Sequence, residues 1–373
     1  MKFLITGGAG FIGSHTADAL LAEGHTVRVL DSLEEPVHPK HAVPGYLDSR
    51  IEFVRGDVRN ESLLLDALKG CDVVYHLAAF QDYLPTFSRF FDVNATSTAL
   101  IYELIVREGL PIKKVIVASS QATLGEGAYL DAKGRQILPD LRPESQLMKG
   151  IWELQAPKGF EGPLQWQRTD ESVANPQNPY GMSKIAEENI ALYIGRRYEI
   201  PSVAMRYSIV QGPRQSFYNA YSGACRVFCL NFQLGREPQI YEDGQQVRDY
   251  VNIQDVVAAN LLVLHDSRAD YQMFNVGGEK PITVCEFASA VAEVFGAKNY
   301  LARPCGKYRF GDTRHICSDV SKIKSLGWKP TRTIYDSIES YREWLSQADS
   351  AESILDYCNQ QMAKLNVVRE IKS

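Results

Sequence analysis

The sequence predicts an α/β protein: a doubly wound parallel sheet with a smaller C-terminal part interleaved with it. Three observations carry this. Short β-rich runs alternate with stretches of helical spacing through the first 120 residues. A glycine-rich loop directly follows the first run. The composition is that of a chain with a large core: of 373 residues, 45% are hydrophobic and 23% charged, close to the globular average and long enough for two domains. A mainly disordered, collagenous or disulfide-built protein is excluded. The net charge of -5, from 40 basic and 45 acidic residues, does not point to nucleic acid as the main partner. The seven cysteines are scattered, without a Cys-x-x-Cys. That speaks against a disulfide framework and a Cys-based zinc site, and for a reducing cytoplasm. No uncharged apolar run reaches 18 residues, so no membrane span is expected. The apolar start at residues 2–6 reads as a buried strand, not a signal peptide.

The elements follow in order. Strands are expected at 2–6, 27–31, 52–57, 72–79 and 114–120, with helices at 15–23 and 62–69 ended by Gly24 and Gly70. Strands alternating with helices make βαβ units and a parallel sheet. A helix is expected at 95–108, after Asn94, another at 181–198, and a strand at 202–208. Beyond that, glycine and proline punctuate 212–214, 235–238, 277–281 and 304–306, and the rhythm loosens. The expected division is a first domain over 1–210 carrying an insert at 125–177, a second, interleaved part over 211–345, and a helical tail over 346–373. The insert has no clear period and is too long for a connector. It is expected either to pack as a local cap or to be partly mobile. Cys225 and Cys229, four apart on a possible helix, read as small buried residues.

The loop Gly7-Gly8-Ala9-Gly10-Phe11-Ile12-Gly13 lies between a strand and a helix, the setting of a Rossmann dinucleotide site. Glycines permit the tight turn and close approach to a pyrophosphate, and the helix N-terminus offers free N–H groups. Asp31 ends the second strand 18 residues after Gly13. A carboxylate there accepts from both ribose hydroxyls and repels a 2′-phosphate, which favours NAD over NADP. Asp57, at the end of the third strand, reads either as a contact to the adenine or as an ordinary turn aspartate.

Tyr180 and Lys184 are four apart on an expected helix, hence on one face. A phenol near pKa 10 is a poor base at neutral pH, and a nearby ammonium favours its phenolate. So tuned, it can take a proton from a sugar hydroxyl while hydride leaves the same carbon. Ser120 ends the fifth strand, at the carboxyl edge where ligands sit, within reach of the reacting oxygen.

With these residues the sequence resembles the extended short-chain dehydrogenase/reductase family, among its nucleotide-sugar epimerases and dehydratases. The glycine loop, Gly56-Asp57-Val58, His76-Leu77-Ala78-Ala79, Asn94, Ser119-Ser120-Gln121-Ala122, Tyr180 with Lys184, Arg206-Tyr207, Gly212-Pro213-Arg214-Gln215, Arg248-Asp249-Tyr250-Val251, Asp255 and residues 308–315 match in family order. The resemblance implies NAD as cofactor, held by Gly7, Gly10, Phe11, Ile12, Gly13, Asp31, Asp57, Val58, Leu77, Ala78, Ala79, Asn94, Tyr180 and Lys184. It implies Tyr180 as general acid/base, Lys184 as its tuner and ribose contact, and Ser120 as the residue orienting the sugar hydroxyl. Arg248 and Arg314 would grip the diphosphate of an NDP-sugar, UDP- or dTDP-linked, since the arginine fork suits phosphate, with Gln121 a further substrate contact. A homodimer through the helices near 95–108 and 181–198 is also implied.

Family dehydratases carry an acidic pair after the catalytic Ser or Thr; here Gln121 and Ala122 stand there. That disfavours 4,6-dehydration, and Asp31 disfavours an NADP-preferring reductase. The expected activity is therefore an NAD-dependent epimerase, acting at C4. An NDP-sugar 4,6-dehydratase or 4-keto reductase is the alternative among enzymes. A non-catalytic NAD-binding sensor or scaffold is the alternative outside them, and the survival of Tyr180 and Lys184 weighs against it. The sequence departs from the family pattern at Leu124-Gly125, at Ser208-Ile209, and in the 60-residue step from Ser120 to Tyr180. A subset similar to dTDP-L-rhamnose 4-epimerases has a long insert here, often with a Cys/His ribbon. The corresponding stretches 130–134 and 155–159 hold neither residue type, so no metal is expected.

Overall fold

The computed structural model describes residues 1–82, 85–219, 223–297, 299–347, 351–364 and 367–371. Its centre is a seven-stranded parallel sheet: β1 (Lys2–Thr6), β2 (Thr26–Asp31), β3 (Glu52–Arg55), β4 (Val73–His76), β5 (Lys114–Ser120), β6 (Ser202–Tyr207) and β7 (Gln272–Val276). The spatial order is β7-β6-β5-β4-β1-β2-β3, with every pairing parallel. The order reverses between β1 and β4, and a crevice opens at such a switch beyond the strand ends. Both faces are covered. Phe3 and Ile5 point to one core and Leu4 to the other, as the period of two demands.

Helices of eight or more residues are α1 (Phe11–Ala22), α2 (Glu61–Leu68), α3 (Ser97–Arg107), α4 (Pro179–Asn189), α5 (Ala224–Gln233), α6 (Ile253–His265), α7 (Val284–Val294), α8 (Ile334–Leu345) and α9 (Ala351–Lys364). α1 starts four residues before the expected 15, directly on the glycine loop. The reason is contact: a Cβ on Gly13 would lie 2.4 Å from the Gly7 carbonyl oxygen, so only glycine lets the first turn sit on the strand end. β3 and β4 stop short of the expected 57 and 79. Asp57 and Leu77–Ala79 are thereby released into the loops of the crevice. The helix expected at 95–108 is entered through a π-helical stretch, Phe91–Thr96, and the one expected at 181–198 is interrupted by another, Ile190–Ile194.

The chain returns to the sheet late. α6 packs on α1, and β7 pairs with β6. The remaining C-terminal core gathers Cys225, Cys229, Phe287, Tyr341 and Cys358 from α5, α7, α8 and α9. Capping boxes at Thr283 with Glu286 and Thr333 with Asp336 start α7 and α8; such N-caps contribute about 0.5–2 kcal/mol each.

Of the two expectations for the insert, the structure shows packing. Residues 129–130, 136–137 and 165–166 form a three-stranded antiparallel sheet over Tyr129, Ile137 and Leu154. Among the described residues, the helix of the tail is α9. Val368–Glu370 is instead a strand, antiparallel to Lys307–Arg309.

Candidate active site

The crevice opens into a cleft of about 1080 Å³. Its first half is made of backbone. Gly7, Gly10, Phe11, Ile12 and Gly13 line it. Gly7 has φ +67°, and a Cβ there would lie 2.7 Å from the Ala78 backbone. Gly10 is the N-cap of α1 and gives it no side-chain cap, so the helix N-terminus keeps donors for an anion. Asp31, Asp57, Val58, Leu77, Ala78 and Ala79 line the same half. Asp31 is buried; its carboxylate accepts from Ala9 N–H at 3.0 Å and Leu33 N–H at 2.9 Å. These bonds aim it, and a carboxylate has further lone pairs for a ligand. Asp57 pairs with Arg59 at 2.6 Å, which holds its carboxyl below the usual range. Asn94 lies behind the lining. It accepts from Phe80 N–H at 2.7 Å and donates to Ser183 Oγ at 2.9 Å, tying the cofactor-side loop to α4.

Ser120, Tyr180 and Lys184 line the same cleft, with Lys184 Nζ 5.8 Å from the centre of the Tyr180 ring. Asn178 caps α4 by accepting from Gly181 N–H at 2.8 Å, and Pro179 opens its first turn. A Cβ on Gly181 would lie 2.5 Å from the Ala122 carbonyl oxygen, so the helix sits tightly on the turn after Ser120. Tyr180 is thereby set beside Ser120, near enough for the serine hydroxyl to favour the phenolate slightly. Burial pushes the phenol up, Lys184 pulls it down, and the balance lies above its ordinary value. The lysine alone therefore does not make a phenolate here. Burial also works against the Lys184 ammonium, but Glu187 and Tyr180 outweigh it and raise its pKa. His76 of β4, between Thr6 Oγ1 at 2.7 Å and Ser97 Oγ at 3.0 Å, is pushed down to about 3 by burial and by Lys184. It is neutral near pH 7.

The second half is drawn from distant segments. Gln121 lines it, with its amide donating to Asp249 Oδ1 at 2.5 Å and Ser318 Oγ at 2.8 Å. Burial pushes Asp249 up to about 7, against the hydrogen bond from Gln121. Arg248 lines the cleft, braced on the carbonyls of Val247, Arg314 and Thr313 at 2.7–2.9 Å.

Arg314 is placed otherwise than expected. It is fully buried, is not among the cleft-lining residues, and donates to Glu153, Glu242 and Asp243 at 2.6–3.1 Å. Its fork is spent on carboxylates. Arg309 and Lys307 line the cleft instead, on either side of buried Tyr308. Alternation along Lys307-Tyr308-Arg309 was the available signal: the outer two residues share one strand face. Glu187, three positions after Lys184 on the same helical face, pairs with Lys184 Nζ at 2.6 Å.

A family model described as the NAD dependent epimerase/dehydratase family matches residues 3–145 and 155–277. The chain belongs to that family. The break between the matched stretches falls inside the insert. Within the epimerase/dehydratase family, the chain is 31% identical over 358 residues to a dTDP-L-rhamnose 4-epimerase of Burkholderia thailandensis, covering 93% of this chain and 95% of that one. It resembles the solved UDP-glucose 4-epimerase of Thermotoga maritima, determined with UDP-glucose, at a TM-score of 0.75 and 26% identity, over 93% and 99% of the two chains. It resembles that of Thermus thermophilus, determined with NAD, at 0.73 and 27%, over 93% and 100%. NAD is the cofactor of this epimerase/dehydratase chain.

Proposed function

We propose that the protein is a 4-epimerase of a nucleoside-diphosphate sugar, UDP- or dTDP-linked, that retains its NAD. One observation supports the reading: Ser120, Tyr180 and Lys184 line one cleft together with the glycine cradle and with Arg248, Arg309 and Lys307, and Gln121 follows Ser120 where a dehydrating acid would stand. The cradle fits NAD. Its glycines leave room that a Cβ would fill, α1 is uncapped by side chains, and Asp31 is aimed by two backbone donors. Bound there, NAD supplies a hydride acceptor that returns the hydride to the other face of the sugar carbon.

The protein's part is to hold and to move a proton. Tyr180 Oη takes the sugar hydroxyl proton and gives it back, while Ser120 Oγ keeps that hydroxyl in line. Lys184 holds the ribose and favours the phenolate. Arg248, Arg309 and Lys307 offer cationic donors to the diphosphate, and Arg314 is assigned to the buried charge layer behind them. We further propose a homodimer through α3 and α4, whose faces and flanks leave Val106, Met182 and Tyr193 exposed, and a cytoplasmic setting, in keeping with seven unbridged cysteines.

The test is direct. Purified protein is denatured and the supernatant assayed for NAD, then native protein is incubated with UDP- and dTDP-sugars and the products read by NMR. Epimer formation without net cofactor use is expected. Steady consumption of added NADH indicates a reductase, and loss of water a dehydratase; either overturns the reading. Light scattering is expected to give twice the chain mass.

A further inference from the structure

α4 carries two consecutive buried glutamates with different partners. Glu188 uses both oxygens on Arg206, at 2.6 and 2.8 Å, and also accepts from Ser119 at 2.5 Å. It ties α4 to β5 and β6. Glu187 is also fully buried, but its Oε2 receives Lys184 Nζ at 2.6 Å and its Oε1 has no hydrogen-bond partner. A buried carboxylate with an idle oxygen is costly to keep, and its one partner here is the lysine of the catalytic helix. Arg206, the nearby arginine, is taken by Glu188, so Glu187 stands with Lys184 alone.

The surroundings leave this pair weakly screened. Tyr180 and Glu188 face it from α4, Tyr102 from α3 and Tyr207 from β6; His76 faces Lys184 from β4 and is neutral. Residues 87–90 and 91–96 also pack on α4; their charged groups are Arg89, paired with Glu34, and Asp92, and the hydrogen bond that reaches α4 from them is donated by the uncharged Asn94. The only cation against Glu187 among these groups is Lys184, and Tyr180 must share that cation with it.

We propose that Glu187 is a positioning residue that sets the proton affinity of Tyr180 through Lys184. It anchors the ammonium along the helix face and offsets most of its charge. Tyr180 therefore stays protonated until further positive charge enters the first half of the cleft. This rests on the reading of Tyr180 as the acid/base group. It adds a carboxylate that opposes the phenolate which Lys184 favours.

The experiment compares wild type with Glu187→Gln, which keeps the shape and still accepts from Lys184 Nζ. The first readout needs no turnover. The protein is labelled at the tyrosine ζ carbon, the Tyr180 signal is assigned by its absence in Tyr180→Phe, and it is titrated by 13C NMR. The Tyr180 pKa is expected to fall by about one unit in Glu187→Gln, a tenfold change, and to return toward the wild-type value in Glu187→Asp. The second readout is the pH profile of kcat/KM, whose acidic limb is expected to move down by the same amount. An unchanged or raised Tyr180 pKa overturns the proposal. A lowered pKa in a protein that forms no epimer leaves the Glu187 assignment standing and removes the epimerase reading instead. If Glu187→Gln does not fold, Glu187→Met carries the same titration with the same expected sign.

Discussion

The two halves of the cleft are built in opposite ways. The cofactor half comes from a nearly continuous stretch of chain, the carboxyl ends of β1 to β4 and the loops after them. Most of it is backbone, fixed by what a glycine allows at Gly7 and Gly13. The substrate half is assembled from scattered residues of distant segments, among them Gln121, Tyr207, Asn231, Arg248, Arg309 and Asn359, and its character comes from side chains. Backbone contacts suit a ligand that never changes; side chains on loops are free to vary with the substrate. A family can thus keep one cofactor and change its sugar.

Substitutions can break this contrast, and the largest effect is expected where the halves meet. Tyr180→Phe should lower epimer formation by about 10²–10⁴-fold, the usual contribution of a general acid/base, with NAD content after purification unchanged. In the first half, Gly13→Val should abolish retained NAD, because a Cβ there meets the Gly7 carbonyl at 2.4 Å. The assay is NAD released on denaturation, and overpacking of this kind should also cost about 1–3 kcal/mol of stability. In the second half, Arg309→Ala should raise KM for the sugar nucleotide about tenfold, the loss of one charge-assisted contact, and leave retained NAD as it was. Arg314→Ala should behave differently, lowering the melting temperature because it removes a fully buried cation shared by Glu153, Glu242 and Asp243 and leaves buried Glu242 to Arg142 alone.

The smallest effect concerns the charge layer under the second half. Burial pushes Glu126 up to about 7, against Arg142 and Arg314, and its Oε1, 4.0 Å from Arg142 Nε, has no hydrogen-bond partner. The folded state thus holds this proton more tightly than the unfolded chain. The stabilisation is complete below about pH 4.5 and is lost as the pH rises through about 7. Glu126→Gln should gain on wild type across that window, by about 2 °C at pH 8, read by calorimetry at several pH values.

The same contrast explains what could be read from the sequence. The parallel sheet, the glycine loop, Asp31 and the Ser120–Tyr180–Lys184 group were legible because each depends on local spacing: a strand, a turn, a helix face. The starts and stops were less so. α1 begins at Phe11 because Gly13 rests on Gly7, a contact the helical period does not contain. Arg309 and Arg314 lie five residues apart in one matching stretch, and composition does not separate them. The separation lies in tertiary structure, since Glu153, Glu242 and Asp243 converge on Arg314 from distant parts of the chain. The insert hid its short strands because two-residue strands have no period to show. The late return of β7 to the sheet was likewise invisible once the βα rhythm had loosened.

The pairing of Val368–Glu370 with Lys307–Arg309 bears on the order in which the molecule is made. The strand carrying Lys307 and Arg309 waits for its edge partner, and Leu355, Asn359 and Met362 of α9 complete the same wall. The glycine cradle, Ser120, Tyr180 and Lys184 emerge from the ribosome long before them. In chain order the glycine cradle therefore precedes this wall, whose strand has its edge partner only once Val368–Glu370 has been made.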